Sequence, residues 1–240
     1  MPTGTHTPRT LPEDIGPTLV AGALLALVAL SVAVAPIAGA FDDFISVFFA
    51  RYALSVVVGL ALVAAARRVA GDGLLGLAGP RIKGPALIGA GVYLAALPGI
   101  LWVHQWNEDN VLGGEERVQE TLGTFLSLIE AGEVVVVAAM TTVLVVVVPL
   151  LEEIVFRGWL MSGVRESIVR AVGEPGASSV AVLVSTAVFV GVHAQFTWLP
   201  IAVMGIILAV LYAKTRTLWP GIVFHGLHNL FTLYYPVFDK

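Results

Sequence analysis

Seven apolar stretches, each long enough to cross a lipid bilayer, occupy most of this chain. They cover roughly residues 17–40, 44–66, 84–103, 133–160, 177–195, 198–214 and 217–236. Inside the hydrocarbon core only helices and closed barrels satisfy the polar groups of the backbone. The chain is 58% hydrophobic and 12% charged, whereas soluble domains contain about 25% charged residues. The sequence therefore predicts an all-α fold, a polytopic membrane bundle of about seven transmembrane helices.

Positive charge falls on alternate connections between these stretches. The basic connections carry Arg9, then Arg67, Arg68, Arg81 and Lys83, then Arg165 and Arg170, then Lys214 and Arg216. The opposite connections carry Asp42, Asp43, Glu108, Asp109, Glu115, Glu116 and Glu120, with Arg117 as their only base. Because basic loops stay on the cytoplasmic side, the sequence predicts a multi-pass protein with a cytoplasmic N-terminus and an external C-terminus.

The chain is predicted to form one transmembrane domain, residues 17–240, after a disordered polar tail, residues 1–16. The first apolar stretch is too long for the core of a signal peptide, so we expect it to remain as a helix. Between the third and fourth stretches, an amphipathic helix is predicted over residues 114–130 at the outer membrane interface. A helix packed on the bundle is the alternative for that segment. Arg51, near the start of the second stretch, is predicted to extend outward in a structural role.

Several functional classes are excluded or lack support. The chain contains no cysteine, so disulfides, thiolate metal sites and a cysteine nucleophile are excluded. It has no basic tract interleaved with aromatic residues, which argues against nucleic acid as a partner. It also has no internal repeat, so a transporter built from symmetric halves is not supported.

Two adjacent carboxylates, Glu152 and Glu153, lie inside an apolar run, with Arg157 one helical turn further on. Ionisable groups at membrane depth are costly and usually mark functional sites. Glu153 and Arg157 are four residues apart, so they share a helix face and can pair. Glu152 is rotated by about 100° from its neighbour and is free to face a cavity as a general base. Pro149 lacks an N–H and is expected to kink this helix.

Two further polar clusters interrupt the last three stretches. Phe189 and His193 stand near the end of the fifth stretch, where a lone histidine is more often a packing residue than a catalyst. In the seventh stretch His225 and Asn229 share a face, and both can donate hydrogen bonds to an oxyanion. His225 as a metal ligand is the other interpretation. His228, close to that face, is predicted to cap the polar stripe.

Taken in order, the patterns E-E-x-x-x-R, F-x-x-x-H and H-x-x-x-N resemble the CPBP family of intramembrane proteases. That family groups CAAX prenyl endopeptidases of the Rce1 type with bacterial proteins linked to bacteriocin processing and immunity. The resemblance covers roughly residues 133–236, which would form the catalytic core, and residues 1–110 carry no matching motif. The motif residues are Glu152, Glu153, Arg157, Phe189, His193, His225 and Asn229.

The resemblance implies endopeptidase activity on a membrane-associated or lipidated, CAAX-like substrate. By analogy Glu152 and His193 would activate water, His225 and Asn229 would stabilise the oxyanion, and Glu153 with Arg157 would hold the geometry. The family is described both as metalloproteases and as metal-independent glutamate proteases. Without an H-E-x-x-H motif the sequence leaves metal dependence open, with Glu152, His193 and His225 as candidate ligands of a divalent metal such as zinc.

Two other functional hypotheses compete with the protease. One is a non-catalytic immunity or scaffold protein that uses the polar cluster for helix association, and the other is an ion-coupled transporter, which the nearly apolar first three stretches disfavour. The predicted spans also raise a difficulty for the protease. Straight helices would place Glu152 deep in the membrane and His193 near the outer surface. A shared water therefore requires a tilt or a different start for one of these helices.

Overall fold

The structure is a computed structural model that describes residues 14–41, 43–71, 75–77, 82–113 and 119–238. Regular structure in these residues is helical throughout, without a strand. The elements are α1 Ile15–Ala40, α2 Phe44–Ala70, α3 Lys83–Asn110, α4 Glu120–Glu130, α5 Val134–Thr142, a π-helical segment Val143–Val147, α6 Val148–Glu152, a second π-helical segment Glu153–Met161, α7 Ser162–Gly191, a 3₁₀ turn Gln195–Thr197, α8 Trp198–Thr215 and α9 Trp219–Phe238. The predicted tail, residues 1–16, lies almost wholly outside the described residues.

Four helices in the described part of the chain are long and apolar enough to cross a membrane. They are Phe44–Val69, Lys83–Asn110, Val134–Gly191 and Gln195–Thr215. A shorter apolar helix covers Ile15–Leu30. The prediction of a helical membrane bundle is therefore confirmed, while the count of seven crossings and the orientation of the termini stay predictions.

The helical run Val134–Gly191 differs from the predicted spans. Its 58 residues would extend about 87 Å if straight, nearly three times the thickness of a hydrocarbon core. It bends at Gly173, where φ is 72° and ψ is 169°, a conformation that only glycine adopts without strain. The second arm packs back on the first, and Ser185 Oγ on the second arm donates to the Phe156 carbonyl on the first at 2.9 Å. The chain thus turns at one residue rather than through the loop of residues 161–176 that the apolar pattern predicts.

Three connections of the bundle meet at one end. At the bend, Glu174 accepts hydrogen bonds from Arg165 Nε at 2.8 Å and from Arg216 Nη2 at 2.9 Å. The next residue after Arg216, Thr217, donates its hydroxyl to the Gly76 carbonyl at 2.7 Å. The connections after α2, within α7 and after α8 therefore share one face of the protein, as alternating passes require.

The helix α4 packs on the bundle rather than standing apart from it. Phe125 is fully buried in a small apolar cluster with Phe48, Met140 and Leu233. Its ring lies 5.5 Å from that of Tyr234. The packed alternative for this segment is therefore confirmed for residues 120–130, and a location at the outer membrane interface stays a prediction.

Candidate active site

The two adjacent carboxylates have different environments. Glu153 is fully buried, and its Oε1 lies 3.0 Å from Nη1 of Arg157, which is also fully buried. The side chain of Glu152 is 26% exposed, although its Oε2 is buried with no hydrogen-bond partner in the described residues. The structure thus neutralises one carboxylate inside the protein and leaves the other accessible.

The buried guanidinium of Arg157 has further contacts that make its burial tolerable. Nη2 donates to the carbonyl of Gly205 on α8 at 3.2 Å. Its central carbon lies 4.4 Å from the centroid of the Phe189 ring, within cation–π range. A buried charge needs a partner and hydrogen bonds to offset its desolvation. Glu153, Gly205 and Phe189 supply these, and they connect the helical run 134–161 to α7 and α8.

His225 lies between the two carboxylates. Its Nε2 is 3.7 Å from Glu152 Oε2, and its Nδ1 is 3.8 Å from Glu153 Oε1. The side chain is buried near the start of α9. Both separations are longer than a hydrogen bond. The imidazole is therefore close to both carboxylates without a hydrogen bond to either.

His193 presents one ring nitrogen to its own helix. Nδ1 is 2.6 Å from the carbonyl oxygen of Phe189. Because a carbonyl only accepts, Nδ1 carries the proton and Nε2 keeps a lone pair. The Phe189 ring lies 4.6 Å from the His193 ring and 6.0 Å from the His225 ring. The two imidazoles are therefore within about 11 Å of each other, and both contact one phenylalanine ring.

The bend at Gly173 removes the depth difference expected from straight spans. Glu152 and His193 stand at nearly equal distances along the chain from Gly173, 21 residues before it and 20 after it. The contact of Phe156 with Phe189, at 5.1 Å between centroids, fixes the register of the two arms. One helical turn beyond that contact on each arm lie Glu152 and His193. The two residues therefore lie about one helical turn from a shared contact, on the side of it away from the bend.

Asn229 and His228 each contact a neighbouring helix. Asn229 Nδ2 donates to the Leu144 carbonyl at 2.8 Å. The ring of His228 lies 6.3 Å from that of Tyr93 on α3. Asn229 therefore has one N–H engaged with the backbone of the helical run 134–161 and a second N–H remaining for a ligand.

A metal centre does not fit the observed arrangement. Among the described residues no three or more His, Asp or Glu side chains form a group suited to a metal ion. Glu153 is paired with Arg157, so its carboxylate is already engaged with a cation. A catalytic zinc site needs three protein ligands around one open position.

Gly221 belongs to the site, and the motif patterns did not identify it. A Cβ at this position would lie 2.5 Å from Glu153 Oε2. The absence of a side chain at Gly221 therefore makes room for the buried carboxylate. Its position four residues before His225, on the same face of α9, is the signal in the sequence that would have identified it.

Comparison with known proteins agrees with the motifs. Residues 134–231 match the family model described as Type II CAAX prenyl endopeptidase Rce1-like. The matched segment contains all seven motif residues, from Glu152 to Asn229, and confirms the predicted family. No curated protein and no solved structure matches the chain.

Proposed function

We propose, since residues 134–231 of this chain belong to the Rce1-like family of type II CAAX prenyl endopeptidases, that Glu152 is the general base of an intramembrane peptidase. The family makes the protein a membrane protease of the CAAX type, and the roles of its residues are our proposal. One observation carries it. Glu152 is accessible and lies 3.7 Å from His225, while Glu153 is fully buried against Arg157.

In the proposed reaction Glu152 and His193 activate one water molecule. Glu152 removes a proton from the water, whose oxygen attacks the scissile carbonyl. The free Nε2 lone pair of His193 accepts a hydrogen bond from the same water and orients it. The proton held by Glu152 then passes to the leaving amine as the C–N bond breaks, which returns the carboxylate to its starting state.

The negative charge that develops on the carbonyl oxygen needs stabilisation at the same place. We assign this role to His225 and to the remaining N–H of Asn229. Donors fixed before the reaction stabilise a developing oxyanion without the cost of reorganisation. Arg157 pairs with Glu153, and Glu153 in turn faces Nδ1 of His225. The buried pair thereby orients the imidazole rather than taking part in proton transfer.

The substrate is proposed to be a peptide or protein attached to the membrane, with a prenylated CAAX end as the first candidate. Glu152 lies in a helix of a membrane bundle, and His193 lies two residues after the end of α7. A lipid anchor partitions into the bilayer and brings the attached peptide to the same depth. The apolar surroundings also limit access to bulk water, which strengthens the electrostatic interactions on which this chemistry depends.

The proposal is tested with the full chain in nanodiscs and a quenched fluorescent peptide that ends in a farnesylated CAAX sequence. We expect release of the three terminal residues, identified by mass spectrometry, and slower release from the unprenylated twin peptide.

His193→Ala should lower kcat/KM by about 10²–10⁴-fold, the usual contribution of a positioned acid or base. The control is His104→Ala, because His104 is an exposed histidine near the partly exposed Glu108. Undiminished cleavage by His193→Ala would remove this residue from the mechanism.

Gly221→Ala tests the role of the buried pair. The added methyl group would overlap Glu153 Oε2 and move the carboxylate away from His225. A displacement of about 1 Å in an active site can cost about 10²-fold in rate, so we expect a loss of this size in kcat with KM little changed. Gly91→Ala is the matched control, since a Cβ there meets nothing within 4 Å. Equal kcat values for the two variants would show that the position of Glu153 does not matter.

A further inference from the structure

The first π-helical segment leaves a backbone carbonyl without a donor from its own helix. Val148 donates its N–H to the carbonyl of Val143, five residues back. In that register the donor for the next carbonyl, Leu144, would be residue 149. Residue 149 is proline, which has no N–H. The helix therefore has neither of the two usual donors for the Leu144 carbonyl. The N–H of Val148, its donor in an α-helix, is engaged with Val143, and residue 149, its donor in a π-helix, has no N–H.

The helix α9 supplies the missing donor. Asn229 Nδ2 donates to the Leu144 carbonyl at 2.8 Å, across 85 residues of sequence. Gly226, one turn earlier on α9, allows the close approach, because a Cβ there would lie 2.7 Å from the Val145 carbonyl oxygen. Val145 is the carbonyl that residue 149 would serve in an α-helical register. The α9 helix thus lies against the carbonyl that the proline would leave open in either register.

We propose that the Asn229 amide stands in for the missing N–H of Pro149 and thereby fixes the helical turn that carries Glu152. Pro149 precedes Glu152 by three residues, so the turn with the proline sets the direction of that carboxylate. Asn229 is in this respect a positioning residue, in addition to the oxyanion role assigned above. The hydrogen-bonding part is independent of the proposed function, whereas the effect on catalysis depends on it.

The membrane environment makes the Asn229 donor important for the Leu144 carbonyl. Water is scarce inside a bilayer, so a carbonyl without a donor keeps most of its desolvation cost. A proline in a transmembrane helix is tolerated when a neighbouring helix or polar side chain satisfies the freed group. Asn229 meets that requirement, and it stands one turn after His225 on the same helix face. The contact therefore links the histidine helix to the carboxylate helix.

A double-mutant cycle between Pro149→Ala and Asn229→Ala tests the proposal without any need for activity. Pro149→Ala restores a main-chain N–H, which can donate to Leu144 when the asparagine is absent. We expect Asn229→Ala alone to lower Tm by about 3–6 °C and to cost less than about half of that in the Pro149→Ala background. The same drop in Tm in both backgrounds would overturn the proposal.

Asn107 provides the matched control for this cycle. It also donates its amide to a carbonyl distant in the sequence, that of Phe196, at 2.9 Å. The drop in Tm caused by Asn107→Ala should be the same with and without Pro149→Ala, because no proline lies in that interaction. If Pro149→Ala reduced the Tm loss of Asn107→Ala as much as that of Asn229→Ala, Pro149→Ala would alter stability globally. The cycle would then contradict a specific coupling between Pro149 and Asn229.

A spectroscopic measurement covers the case in which a double variant does not fold. The chain has three asparagines, at positions 107, 110 and 229, so ¹⁵N-asparagine labelling gives three side-chain amide signals. In the Pro149→Ala protein the new N–H competes for Leu144, and we expect the Asn229 amide to exchange its hydrogens with solvent faster. An unchanged exchange rate would argue against the shared acceptor.

The catalytic part is measured with the prenylated peptide. Asn229→Ala should lower kcat with little change in KM, and the fold loss should be smaller in the Pro149→Ala background. An oxyanion donor alone would give the same fold loss in both backgrounds, and that result would overturn the positioning role. If the protein does not cleave the peptide at all, the proposed function fails while the Tm cycle still decides the hydrogen bond.

Discussion

Glu152→Gln is expected to abolish peptide cleavage, lowering kcat by about 10³–10⁴-fold, at the upper end of general acid–base contributions. Glutamine keeps the size and shape of the side chain but cannot take a proton from water. The fold should not suffer, because Glu152 is partly exposed and has no hydrogen bond or paired arginine of its own. We therefore expect Tm to remain within about 3 °C of the parent value. The measurement is kcat with the prenylated peptide, together with thermal unfolding of the same preparation.

Glu108→Gln is the control for that experiment. Glu108 is a partly exposed helix carboxylate that also lies near a histidine, with Oε1 3.3 Å from His104 Nε2. It lies on α3, outside the three motifs, so the variant should cleave at the parent rate. A Glu152→Gln protein with more than about a tenth of the parent kcat, below the usual acid–base contribution, would contradict the general-base role. The non-catalytic scaffold hypothesis would then regain weight.

Arg157→Met is expected to lower the free energy of unfolding by about 3–5 kcal/mol, the usual cost of breaking a buried ion pair by removing one partner. The substitution leaves the Glu153 carboxylate buried without its cation. It also removes the donor to Gly205 and the charge over Phe189. Unfolding of the detergent-solubilised protein, followed by circular dichroism as denaturing detergent is added, measures the loss.

A second variant separates the buried charge from simple loss of packing. Glu153→Gln combined with Arg157→Met removes both charges, so we expect it to recover at least about half of the lost stability while cleavage stays lost. Arg51→Met is the matched control, because Arg51 is exposed on α2, and it should change stability by less than about 0.5 kcal/mol. A double variant less stable than Arg157→Met alone would show that the site is held by contacts other than the ion pair.

Local periodicity explains which features of the protein could be predicted from the sequence. Apolar length and charge distribution predicted a helical membrane bundle, and the order of three motifs predicted the family. The spacing of four residues predicted the pairing of Glu153 with Arg157. These inferences depend on properties of a single helix, namely its rise, its repeat and the cost of charge in lipid. The single-domain boundaries and the membrane orientation remain predictions of the same kind.

The relative heights of residues on different helices could be determined only from the tertiary structure. The apolar pattern placed a loop at residues 161–176, whereas the chain bends at Gly173. With the turn at one residue, Glu152 and His193 are each about 20 residues from it. The contact of Asn229 with Leu144 and the fit of Gly221 against Glu153 were equally hidden. A sequence specifies the faces of its helices, but the register between helices depends on packing between residues far apart in the chain, and here that register decides which carboxylate is buried and which remains accessible.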